Sequence, residues 1–69
     1  MKLSTRNTVK GTIKNIEIGA VNAEITLEIA PGVEIVSVIT KSSAERLGLA
    51  EGKSAYALIK ATDVAIAVD

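Results

Sequence analysis

A chain of 69 residues with neither cysteine nor histidine has to find its stability outside the usual staples of small proteins. Ordering each residue costs roughly 1.5 kcal/mol, on the order of 100 kcal/mol in all. A domain of this size buries only about 60% of the surface that its unfolded chain exposes. Composition rules out disulfides and zinc held by sulfur or imidazole. Yet 48% of the residues are hydrophobic, a surplus for so small an interior. The economical way to bury that surplus is against further copies of the chain, so a homo-oligomer is expected.

The same inventory narrows the function. Without histidine or cysteine there is no Ser-His or Cys-His nucleophile. No pair of carboxylates is spaced for acid–base work, and no enzymatic activity is expected. Eight basic and eight acidic side chains cancel and alternate along the chain. A nucleic-acid module would show a basic stripe and aromatic stacking platforms, whereas Tyr56 is the one aromatic residue. No apolar run approaches the ~18 residues of a membrane span. The start Met1-Lys2-Leu3-Ser4 lacks the apolar core of a signal peptide. The expectation is a cytoplasmic, single-domain protein over residues 1–69, with neither nucleic acid nor membrane as partner.

β-Branched residues recur throughout, and glycines punctuate them. A first strand is expected from Thr8 to Ile18, with Gly11 marking a bulge or a close backbone approach. After a turn at Gly19, a second strand from Val21 to Ile29 has period two. Ile25, Leu27 and Ile29 face inward, and Glu24, Thr26 and Glu28 face water. Pro31-Gly32 is a turn signal. The third strand, Val33 to Thr40, is apolar on both faces through Ile35, Val36, Val38 and Ile39, which calls for a neighbour outside the barrel. A short helix follows, with Ser42 as N-cap, Glu45 completing a capping box, and Gly48 at the left-handed C-terminal position. Leu47 and Leu49 are expected to plug it onto the barrel. Strands from Ser54 to Lys60 and from Val64 to Val68 complete the chain. Five strands, with one short helix between the third and fourth, predict an all-β, OB-like Greek-key barrel.

Two polar segments interrupt this pattern: Ser4-Thr5-Arg6-Asn7 and Lys60-Ala61-Thr62-Asp63. Arg6 and Lys60 are cations beside small hydroxyl residues, the donor set that a tetrahedral oxyanion requires. A fully deprotonated dianion offers only acceptor oxygens, and Ser4, Thr5, Asn7 and Thr62 can all donate. Asp63 would have to turn away. Taken on the residues alone, the segments read more readily as solvated charges, a turn-forming serine and a hairpin loop.

The segment from Ser4 to Gly11 resembles the S-A-R-N-x-x-x-G signature that opens molbindins and related TOBE domains. Gly19-Ala20-Val21-Asn22-Ala23-Glu24 is similar to the family's G-x-V-x-A-E segment. Ile39-Thr40 with Ser43, Leu47-Gly48-Leu49 with Gly52, and Lys60-Ala61-Thr62-Asp63-Val64 follow in register. The resemblance covers essentially the whole chain. It implies an OB-like barrel assembled as a hexamer, a trimer of dimers, that binds molybdate or tungstate at subunit interfaces for storage or homeostasis. It also implies that the Ser-x-Arg-Asn segment of one subunit and the Lys-[Ser/Ala] segment of a neighbour share a site. Carried over by position, Ser4, Arg6, Lys60 and Ala61 are the ligands, with Thr5 and Asn7 in support. A second oxyanion site would involve Gly19, Ala20, Val21, Asn22 and Ala23, which read equally as a plain hairpin connection. Two departures stand out. Thr5 replaces the family's alanine, and Ala61 stands where relatives often have serine, leaving only its backbone N–H to donate. The alternative within the same resemblance is a regulatory TOBE-type module that senses the oxyanion and acts on a protein partner.

Overall fold

In the computed structural model, which describes Met1–Asp69, the first strand β1 spans Asn7–Ile18 and β2 spans Asn22–Ala30. Strand β3 covers Val33–Thr40, helix α1 covers Lys41–Arg46, and β4 covers Ser54–Ile59. A single 3-10 turn, Ala61–Asp63, follows β4. One antiparallel sheet runs in the order β3-β2-β1-β4. The three-stranded meander therefore takes β4 on its far side, as an OB-like barrel does, and the sheet curls into a half-barrel with β3 and β4 as free edges.

The turns account for the register. Pro31 and Gly32 form the two-residue connection between paired Ala30 and Val33. Gly32 has φ 75°, the conformation that a Pro-Gly type II turn requires of its second central residue. Gly11 marks a close approach. A Cβ built there would lie 2.5 Å from the Glu28 carbonyl oxygen and 2.9 Å from Leu27 Cγ. The irregularity in β1 lies further along, between Ile13 and Asn15.

Period two in β2 delivers Ala23, Ile25 and Leu27 to the interior, where they join Ile13 of β1 and Ala44 of α1. Ile29 packs against this cluster, half-buried. The cap lies two residues before the expected position. Thr40 is the N-cap, and its Oγ1 accepts from the Ser43 amide at 3.0 Å. Lys41 N–H donates to the Val21 carbonyl at 2.7 Å, which ties the first helical residue to the sheet and leaves Ser42 inside the helix. The Ser42–Glu45 capping box is therefore not formed. At the other end, Gly48 (φ 63°) donates to the Glu45 carbonyl and Leu49 to that of Ala44. This is the paired bonding of a Schellman motif. Leu49 packs on the core, but Leu47 is 62% exposed and plugs nothing.

The fifth strand is the main correction. Val64–Val68 pairs with no strand, and Ile66 and Val68 are 85% and 91% exposed. The 3-10 turn redirects the chain after Lys60, and beyond Val64 N–H no tail amide bonds to this chain's backbone. The total accessible surface is 5366 Å². A folded monomer of 7.2 kDa is expected to expose about 4,100 Å². The excess includes Val36 and Val38 on the outer face of β3, the strand whose sequence is apolar on both faces.

Candidate oxyanion-binding site

The ladder between β1 and β4 ends at the pair Asn7 and Ile59. Arg6 and Lys60 are the next residues outward on each strand, so the two polar segments lie side by side at one end of the sheet. The sequence resemblance placed them on neighbouring subunits; this chain brings both to the same corner by itself. Antiparallel pairing that begins at Thr12 and Ser54 has this consequence, because β1 and β4 pair without a bulge as far as that end.

Chemically the corner is a donor set. Arg6 and Lys60 are exposed, and neither forms an ion pair; the one salt bridge, Lys14 Nζ to Glu28 Oε2 at 4.0 Å, lies elsewhere on the sheet. Thr5 and Asn7 are half-buried and Ser4 is exposed. In the 3-10 turn the Asp63 amide donates to the Lys60 carbonyl at 2.9 Å and the Val64 amide to that of Ala61 at 3.3 Å. The amides of Ala61 and Thr62 make no hydrogen bond within the chain. Ala61 therefore presents a free N–H, the group through which a residue without a hydroxyl can still donate. Asp63 is the one carboxylate in the segment and is exposed. No set of three or more acidic side chains is arranged to hold a cation.

The second expected position is different in character. Gly19 donates to the Asn22 carbonyl at 2.8 Å and closes the β1–β2 turn. Ala23 is fully buried and its side chain belongs to the core. The amides of Ala20 and Val21 are without backbone partners. A cleft of about 280 Å³ there is lined by Glu17, Gly19, Asn22 and Glu24 among others, and Glu17 and Glu24 are cross-strand partners. Two facing carboxylates oppose a dianion in that cleft.

One polar group was named in the sequence only within a family motif and given no role. Thr40 Oγ1 donates to Ser43 Oγ at 2.7 Å, and Arg46 Nη2 reaches the same Ser43 oxygen at 3.5 Å. These contacts close the first turn of α1 and satisfy its cap. The Thr40-x-x-Ser43 spacing was the available signal.

Such a half-barrel, with one short helix and a curled antiparallel sheet, is the architecture of a small OB-like β domain. The TOBE domain model matches residues 3–66, and the chain belongs to the TOBE domain family. Among its relatives, molybdenum-pterin-binding protein 1 of Clostridium pasteurianum is 46% identical over 66 residues, covering 96% of this chain and 97% of its own. The structure of a molybdate-binding protein from Sporomusa ovata superposes with a TM-score of 0.91 at 38% identity, covering 99% and 100%. The cytoplasmic molybdate-binding protein ModG, with molybdate bound, superposes with a TM-score of 0.86 at 52% identity over 91% of this chain and 45% of ModG. The chain thus spans the full length of some relatives and about a quarter of longer ones.

Proposed function

We propose that this chain, acting as one unit over residues 1–69, binds molybdate or tungstate at interfaces between copies of itself, as an intracellular store or buffer of the oxyanion. The observation that carries the reading is the convergence of Ser4–Asn7 and Lys60–Ala61 at one end of the β1–β4 ladder, in a chain whose relatives are named for binding molybdate or molybdenum-pterin. Arg6 and Lys60 supply charge, Ser4, Thr5 and Asn7 supply hydroxyl and amide donors, and Ala61 supplies its N–H. Each charge-assisted hydrogen bond contributes roughly 1.5–3 kcal/mol. A site that only donates favours a fully deprotonated dianion and disfavours an oxyanion that keeps a proton.

Arg6 and Lys60 are exposed in the single chain, so the desolvation that strengthens such bonds has to come from a neighbouring copy. The assembly proposed is a hexamer, a trimer of dimers, in the cytoplasm, where ModG is described as residing. The Gly19–Ala23 turn is proposed as a second site only through the Ala20 and Val21 amides, with Glu17 and Glu24 turned from the anion. The role is passive binding rather than catalysis. Calorimetric titration with molybdate tests the assignment. Arg6→Ala and Lys60→Ala should each weaken binding roughly ten- to hundred-fold, the loss of one charge-assisted bond. Unchanged affinity in both variants removes the site.

A further inference from the structure

Two ladders of this sheet end beside a cation. The β2–β3 ladder runs out at the pair Asn22 and Thr40, and one further bond continues it. Lys41 N–H donates to the Val21 carbonyl at 2.7 Å, so Val21 and Lys41 stand opposite each other as the next pair would. Val21 uses its carbonyl in this bond, while its own amide and that of Ala20 have no partner in the chain. The turn closes without them, through the Gly19 amide and the Asn22 carbonyl at 2.8 Å. The Lys41 side chain is exposed and takes part in no ion pair or hydrogen bond.

Strand alternation divides this end of the sheet by face. Glu17 pairs with Glu24, and Asn22 with Thr40, and these four residues share one phase. Ala23 and Ile39 pair on the other phase, which is the core face. Val21 and Lys41, one residue outward from Asn22 and Thr40, fall on that second phase. The carboxylates that line the cleft at Glu17 and Glu24 are thus on the opposite face of the sheet from Lys41.

We propose that Lys41 is the cation of a second oxyanion subsite, whose other donors are the Ala20 and Val21 amides, on the face away from Glu17 and Glu24. The proposal rests on the functional reading above and supplies what the Gly19–Ala23 turn lacks by itself, a positive charge. Two neutral amides are weak holders of a dianion; a hydrogen bond from an ammonium is roughly twice as strong as a neutral one. The lysine carries its charge on a flexible four-carbon stem, so it can swing onto an anion that the fixed amides have met. Ammonium and amides only donate, so the ligand class is a fully deprotonated tetrahedral oxyanion. With one cation where the other corner has Arg6 and Lys60, this subsite is the weaker of the two and fills second.

Calorimetric titration with molybdate, at fixed chain concentration and ionic strength, tests the assignment. The full chain should show two classes of site. Lys41→Gln should weaken the second class about ten-fold, the loss of one charge-assisted bond, and leave the first class unchanged. Lys41→Arg, which keeps the charge, should retain most of the second class. Lys60→Ala should do the reverse of Lys41→Gln and weaken the first class. Lys14→Gln removes an equal charge from β1 and should leave both classes in place. A single class in the full chain, a second class that survives Lys41→Gln at full strength, or an equal loss in Lys14→Gln overturns the proposal. In each of those results the Arg6–Lys60 reading stands as long as Lys60→Ala weakens binding. A full chain that takes up no molybdate removes both.

Discussion

Replacing Gly11 with alanine probes the point where β1 presses closest on β2. The added Cβ would sit 2.5 Å from the Glu28 carbonyl oxygen and 2.9 Å from Leu27 Cγ, where ordinary contacts lie at about 3.5–4.0 Å. The leucine can rotate, but the carbonyl cannot. Glu28 is held on both sides, by Thr12 of β1 and by Glu34 of β3, so moving it strains two ladders. Overpacking of this kind costs about 1–3 kcal/mol. The alanine recovers about 0.4–1 kcal/mol by restricting the unfolded chain. The net loss is on the order of 1–2 kcal/mol, equivalent to a melting temperature lower by roughly 5–15 °C in a domain this small. Differential scanning calorimetry measures it. Wild type and variant must be compared at equal chain concentration, because association makes melting concentration-dependent. A variant that melts at or above the wild-type temperature, with its mass in solution unchanged, would show that the β1–β2 approach is not tight and refute the reasoning.

Thr40→Ala should lower the urea midpoint by the equivalent of about 1 kcal/mol through loss of the cap to the Ser43 amide. Ser42→Ala should stay within about 0.5 kcal/mol; the reverse order would reassign the cap. Gly32→Ala meets no atom within 4 Å but inherits φ 75°, so chemical denaturation should show a loss of about 1–2 kcal/mol from backbone strain alone. Lys14→Ala breaks only a 4.0 Å pair whose lysine side chain is half exposed, and the same assay should register less than about 1 kcal/mol.

The strands were legible because their signals are local. Alternation in β2 and the Pro31-Gly32 turn determine a hairpin whatever surrounds it, and β3 has the predicted bounds, Val33–Thr40. The helix cap was misplaced because two hydroxyl residues compete. Thr40 takes the position through a tertiary bond, Lys41 N–H to the Val21 carbonyl, which sequence spacing does not reveal. Leu47 looked like a plug for the same reason that Val64–Val68 looked like a fifth strand: apolar side chains in the right pattern. Pattern states that a surface will be buried, not by which chain. The side-by-side placement of Arg6 and Lys60 was illegible for a different reason. Their separation along the chain says nothing of the β1–β4 register, which is set by pairing from Thr12 and Ser54 outward.

The polar segment and the unpaired tail meet at one corner. Lys60–Asp63 is at once the second half of the proposed anion site and the turn from which the unpaired tail departs. On the proposed function, an anion held by Lys60 and the Ala61 amide would order this turn. A neighbouring copy that covers the exposed Arg6 and Lys60 would exclude water and strengthen the same bonds. Ligand and assembly then stabilise the same conformation and reinforce each other, as linkage requires of two partners that favour one state. The physical basis lies in the first constraint on the chain. With no disulfide and a core of five buried residues, one copy hides little of its apolar surface, so a site completed by a neighbouring copy would make binding part of assembly.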